Sequence, residues 1–315
     1  MLACTSRNCS RAKRPCREIQ GENVNFMETL ASGKFIVTAE VSPPKGTDTR
    51  QMLKNAALVG GIADAINVTD NQRAVMRMSP LAACSILKSK GYETIMHVTC
   101  RDRNRLSLQS ELLGSSSIGI NNILVMSGDH PVKGDHRGAK PVYDLDSVQL
   151  LGLVQQLNSG FDFSGNTLEG KTRILPGAVA NTELSEAALI KLGKKISSGI
   201  RFVQTQAVFD TNSFSGFMEQ VNSIRSKYNP DMKIIAGIIP LKSVKSADFL
   251  NSNIAGIRVP QHVIDRMKSA KNPEKEGMEI AAGLIGKLQG MCDGVHIMPI
   301  GNHENTGKIL EMAGI

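Results

Sequence analysis

The sequence predicts a (β/α)8 TIM barrel of the α/β class with a short N-terminal extension. Three observations carry this prediction. Short β-branched runs alternate with amphipathic stretches from residue 34 to residue 315. The runs show no polar alternation, as expected of strands buried on both faces of a parallel sheet. Seven or eight of them end in a hydrogen-bonding residue on the C-terminal side, where a barrel gathers its functional groups.

The candidate strands are 35–41, 63–69, 94–99, 122–126, 173–180, 201–206, 233–239 and 294–298. The candidate helices between them are 49–60, 78–90, 103–115, 145–158, 183–197, 213–226, 243–252, 260–269 and 275–290. Start signals support several: Pro80 near a first turn, Thr182 with Ser185 before an apolar run, and Pro260 ahead of 261–269. A doubly wound open sheet is the competing architecture. However, the first strand runs into Val41-Ser42-Pro43-Pro44-Lys45-Gly46, not into GxGxxG, and no GxxxxGK[ST] loop occurs. Long polar loops at 130–142 and 159–171 follow the fourth strand and its helix. Residues 1–33 are polar, basic and weakly periodic, and are assigned to the extension; residues 34–315 are assigned to the barrel.

Composition narrows the function. The chain has 315 residues, 41% hydrophobic and 21% charged, which excludes wholesale disorder. No apolar run reaches the ~18 residues of a membrane span. The formal charge is +8, but Arg7, Arg11, Lys13, Arg14 and Arg17 lie in the first 17 residues without an acid. The rest of the chain sets 32 basic residues against 29 acidic, a mild excess that suits an anionic ligand and does not call for nucleic acid. Aromatics are 4% and Trp is absent, which argues against a stacking platform for single strands. Half of the six cysteines, Cys4, Cys9 and Cys16, crowd into the basic arm. The arm is read first as an inert tail; a soft-metal site with a fourth ligand from elsewhere, or a docking arm, are the alternatives. No apolar h-region follows the basic start, so a cytoplasmic, reducing setting is expected.

The strand ends supply the candidate site. In order they read Glu40; Thr69-Asp70-Asn71; His97 and Thr99; Ser127-Gly128-Asp129; Asn181; Gln204 and Gln206; Lys242; and His296. Glu40 interrupts an apolar strand, where desolvation raises a carboxyl pKa and suits a general acid; capping a turn or pairing with a Lys is the structural alternative. Asp129 follows a glycine and is either a turn former or a second carboxylate dividing the work with Glu40. His97 is a satisfied core histidine or a donor to a ligand. Cys100 is no partner for it, because i and i+3 on one strand face opposite ways. No set of His, Cys, Asp and Glu in the barrel has zinc-site spacing, so no metal is expected.

At these strand ends the sequence resembles the methylenetetrahydrofolate reductase family. The matching segments, in order, are Ala39-Glu40-Val41-Ser42-Pro43-Pro44, Asn67-Val68-Thr69, His97-Val98-Thr99-Cys100, Ile123–Asp129, Thr205-Gln206-Ala207-Val208-Phe209-Asp210 and Gly294-Val295-His296. The resemblance spans about residues 33–315.

It implies a flavoprotein that binds FAD and reduces 5,10-methylenetetrahydrofolate to 5-methyltetrahydrofolate. Glu40 falls at the general-acid position and Asp129 at the carboxylate that faces the pterin and flavin. Gln206 and Val244 fall at substrate-contacting positions. Thr69, His97, Ser127, Gly128 and Asp129 match flavin contacts, Tyr143 and Asp146 the adenosine side, and Lys194 and Lys195 the FAD phosphates. Ser127 replaces the usual Arg, Val244 replaces a common Phe, and Ala188 and Lys191 depart from typical flavin contacts. The resemblance thus implies an oligomer fed by NAD(P)H or by an electron-donating partner subunit.

Overall fold

The computed structural model describes residues 25–315, apart from residues 184 and 255. The cysteines at 4, 9 and 16 and the basic run around them lie outside the described residues.

All the predicted strands form: β1 (Ile36–Val41), β2 (Ala65–Val68), β3 (Thr94–Thr99), β4 (Asn122–Met126), β5 (Leu175–Ala180), β6 (Phe202–Ala207), β7 (Lys233–Ile238) and β8 (Gly294–Ile297). They pair in parallel in chain order, and β8 closes back on β1 with Ile36 opposite Gly294 and Thr38 opposite His296. The open-sheet alternative is therefore excluded. Among the described residues eleven α-helices accompany them: α1 (Phe26–Ala31), α2 (Arg50–Gly60), α3 (Pro80–Lys88), α4 (Arg105–Ser117), α5 (Ser147–Ser159), α6 (Glu186–Ser197), α7 (Thr211–Tyr228), α8 (Val244–Asn253), α9 (Gln261–Ser269), α10 (Pro273–Leu288) and α11 (Thr306–Met312). The expected helices start where their caps place them: Ser185 accepts from Ala188 N before α6, and Pro80 opens α3. No helix among the described residues is long and apolar enough to cross a membrane.

Alternate residues of each strand face inward, and they fill the barrel in tiers. The floor is apolar: Ile36, Ala65, Ile95, Leu124, Leu175, Phe202 and Ile235 form one buried cluster. The Phe202 ring occupies the space next to β5 where a Cβ on Gly177 would lie only 2.3 Å from it, so that position admits glycine alone. Above the floor lie Thr38, Asn67, His97, Gln204 and His296, all buried and polar. Two residues further along, Glu40 and Gln206 reach the C-terminal rim.

The boundary placed at residue 33 is displaced. Helix α1 belongs to the barrel: Phe26 and Leu30 are buried in the floor cluster, and the Phe26 ring meets Phe202 edge-on at 5.4 Å. Asn25 caps the helix by accepting from Met27 N, and Phe26 N donates to Glu93 Oε1 at 3.2 Å. Six residues are too short for their periodicity to show, and the floor they cover exists only after closure. Phe26→Ala is expected to destabilise the fold by about 3–5 kcal/mol, read from chemical denaturation. A loss below about 1 kcal/mol would mean that α1 does not plug the barrel.

Candidate functional site

Glu40 lies near the end of β1, half-buried, and burial raises its pKa to about 7; a hydrogen bond from Gln72 opposes part of that rise. Gln72 Nε2 donates to Glu40 Oε1 at 3.0 Å, and His303 Nε2 lies 3.1 Å from the Glu40 carbonyl oxygen. Gln72 sits in a turn after β2 where Asn71, Arg73 and Ala74 all have positive φ, between 44° and 58°. Such backbone is unfavourable for non-glycine residues and persists only when its surroundings enforce it. The enforcement is visible: Arg77 Nη1 donates to Pro43 O, Arg77 N to Asn71 Oδ1, and Met76 N to Asp135 Oδ1.

Asp129 follows β4 on a turn that needs Gly128, whose φ is +83° and whose missing Cβ would press against Thr99 and Arg101 at 3.0–3.2 Å. The Asp129 side chain is 45% exposed and lies 3.8 Å from Lys133 Nζ. Its carbonyl is held by Arg101 Nη1 at 3.2 Å, from a guanidinium that also grips Asp102. Tyr143, itself at φ 42°, donates to Gly128 O at 3.0 Å. Glu40, Asp129 and Gln206 line one cleft of about 1050 Å³ at the C-terminal mouth, together with Arg73 and Phe249. Gln206 is aimed there by an irregularity in β6, where the register with β7 slips between Gln204 and Ala207. The Thr205 hydroxyl spans the slip, accepting from Gly237 N and donating to Gln206 O.

The other expected positions divide. Thr69 is buried and its hydroxyl has no hydrogen-bond partner; Arg103 Nε is in the same state. A buried donor left unpaired costs about 1–3 kcal/mol, which a bound polar ligand removes. His97 is buried and its pKa falls to about 3, through burial first and the nearby His296 second. Lys195 is buried, donates to Val179 O at 2.9 Å, and has its pKa lowered to about 8 by burial and then by Lys191. Ser127 is exposed on the rim of β4.

Three of the expected residues have other surroundings. Lys194 is exposed and lines an outer groove with Ile190 and Tyr228, because adjacent helical residues are turned roughly 100° apart. Lys191, one turn before Lys195, takes its place beside Cys100 and Asp146. Asp146 is committed to capping α5, accepting from Val148 N and Gln149 N at 2.8 Å. Val244 packs half-buried against the core and is absent from the cleft lining; Phe249 on the same helix, roughly 140° around, lines the cleft under the Arg73 guanidinium at 4.9 Å. Arg101, Arg103 and Gln72 were not singled out from the sequence, although both arginines directly follow the polar end of β3.

These features define a barrel protein with a carboxyl-lined, cation-rimmed cleft at the mouth. The family model described as methylenetetrahydrofolate reductase matches residues 25–314, and the chain belongs to that family. Relatives include "Probable methylenetetrahydrofolate reductase (NADPH)" of Caenorhabditis elegans, 23% identical over 239 residues, covering 74% of this chain and 34% of that one. "Methylenetetrahydrofolate reductase 2" of Schizosaccharomyces pombe is 24% identical over 319 residues, covering 93% and 47%. "5,10-methylenetetrahydrofolate reductase" of Salmonella typhimurium is 25% identical over 244 residues, covering 76% of each chain. The chain thus spans about a third to a half of the length of the first two relatives. A solved structure with TM-score 0.63 and 15% identity, covering 92% of this chain and 96% of its own, shares the fold. It is an uncharacterized protein from Clostridium thermocellum that binds two copies of 5-methyl-5,6,7,8-tetrahydrofolic acid.

Because burial raises the Glu40 pKa, the folded state favours its protonated form. Its contribution to stability is complete below the unfolded value of 4.5 and is lost as pH rises through about 7. The stability difference between the natural chain and Glu40→Gln is therefore expected to change across that window and to be flat above it. Denaturation at a series of pH values measures this, and a difference that is flat from acid to neutral pH refutes the buried acid.

Proposed function

We propose that the chain reduces 5,10-methylenetetrahydrofolate to 5-methyltetrahydrofolate in the cytoplasm, with FAD as its cofactor. The observation that carries the reading is a Glu40 carboxyl with its pKa raised to about 7 on the same cleft as the solvent-exposed carboxyl of Asp129. The substrate's methylene carbon becomes a hydride acceptor only after a ring C–N bond opens. Opening needs a proton for the departing amine and an anion beside the cation that results. Glu40 gives the proton from its carboxyl oxygen. Asp129 faces the 5-iminium cation, and Gln206 holds the folate from β6. Gln72 orients the Glu40 carboxyl through its hydrogen bond.

The residues present fit FAD. Thr69 Oγ1 and Arg103 Nε await partners, and Lys191 and Lys195 bring positive charge to the rim beside Cys100. Thr69, His97, Ser127, Gly128 and Asp129 would border the flavin, Tyr143 would lie on the adenosine side, and Lys195 with Lys191 would meet the phosphates. Bound and reduced, the flavin supplies the hydride.

Glu40→Gln is expected to retain FAD while folate reduction falls at least about 100-fold. Asp129→Ala is expected to slow folate reduction more than flavin reduction. Stopped-flow measurement of the two half-reactions tests both; a Glu40→Gln enzyme at the natural rate ends the assignment. Turnover with NADH or NADPH marks direct electron input, whereas turnover with an artificial donor alone marks a partner subunit. Lys195→Met is expected to weaken FAD binding about tenfold or more, and Lys194→Met to leave it unchanged. Titration of the FAD-free chain with FAD, followed by fluorescence, distinguishes them, and equal losses would overturn the placement.

A further inference from the structure

The middle tier of the barrel is a continuous hydrogen-bonded chain built from five strands. Asn67 Nδ2 lies 2.9 Å from His97 Nε2 and donates to Gln204 Oε1 at 2.7 Å. Gln204 Nε2 donates back to Asn67 Oδ1 at 3.2 Å and to Thr38 Oγ1 at 3.1 Å. Thr38 Oγ1 lies 3.0 Å from His296 Nδ1. All five side chains keep at most 5% of their surface exposed. No charged side chain takes part.

The orientation of the two amides sets the direction of this chain at His97. Each amide nitrogen has two protons, and each is used once. The two on Asn67 go to Gln204 and His97, so His97 Nε2 accepts and its proton sits on Nδ1. The two on Gln204 go to Asn67 and Thr38. The Thr38 hydroxyl accepts from Gln204 and lies beside His296 Nδ1; with one proton and two lone pairs it serves that nitrogen in either tautomer. Burial, which lowers the pKa of each histidine to about 3, keeps both neutral. His97 makes no second hydrogen bond to any described residue, so its Nδ1–H is a free donor.

We propose that Asn67, Gln204 and Thr38 are positioning residues that lock His97 as the Nδ1–H tautomer and so give the barrel mouth one fixed hydrogen-bond donor for an acceptor atom on a bound heteroaromatic ring. That the ring is the flavin rests on the function proposed above. The lock itself does not. Reversing it requires both amides to turn over together, which moves the proton to His97 Nε2. Such coupling across five strands is why a neutral polar tier replaces a second apolar one.

The test is a long-range 1H–15N spectrum of the full chain labelled with 15N-histidine, with the two signals assigned from His97→Gln and His296→Gln. The expected pattern is Nδ1–H for His97, unchanged between about pH 8 and pH 5. An Nε2–H signal for His97, or its protonation above about pH 5, overturns the proposal. Asn67→Asp, which offers only acceptors to the ring, is expected to move the His97 proton to Nε2 and weaken FAD binding about tenfold. An unchanged His97 signal in a folded Asn67→Asp chain overturns it as well. Titration with FAD separates the two readings: a His97 proton on Nδ1 that FAD leaves unshifted supports the lock and refutes the flavin assignment.

Discussion

The closed eight-stranded bore is the constraint from which the rest of the molecule follows. Its interior has room for side chains and nothing else, so each inward position must be filled or satisfied at once. An apolar floor plugged by Phe26 gives way to a neutral polar tier and then to the ionisable rim. Stability is concentrated below and chemistry above. The transition tier carries no formal charge, because a charge at that depth would need a partner the bore has no space to hold.

The rim depends on how the loops are braced. Glu40 is raised in pKa because it is buried, and it is oriented because a strained turn delivers Gln72 to it. That turn is fixed from the neighbouring β4 loop, where Asp135 accepts from Met76 N and pairs with Lys45 at 2.5 Å. Asp129 is placed by the backbone around Gly128, with Arg101 and Tyr143 each holding a carbonyl of the same loop. The two carboxyls therefore differ in environment for structural reasons: one closes a buried strand, and the other rides an exposed loop.

The rim carries charges of both signs. Arg103 pairs with the buried Asp70, which also accepts from Thr99 N and Thr99 Oγ1 at 2.9 Å. Lys191 and Lys195 bring positive charge beside Cys100, and the cleft that holds Glu40 and Asp129 also carries Arg73, Arg77 and Lys133.

Strand and helix positions were legible in the sequence, because an apolar run buried on both faces and a 3.6-residue stripe are local properties. Glu40, Asp129 and Gln206 were legible for the same reason: each sits at a strand end, and strand ends converge in a barrel. Which way a helical or loop side chain points was decided only by packing. Sequence cannot rank Lys194 against Lys195, or Val244 against Phe249, until a neighbouring element defines inside and outside. Asp146 reads equally as ligand or cap until α5 begins at Ser147 and claims it. Helix α1 and the polar tier were the least visible, since their contacts join residues up to 258 positions apart that closure alone brings together.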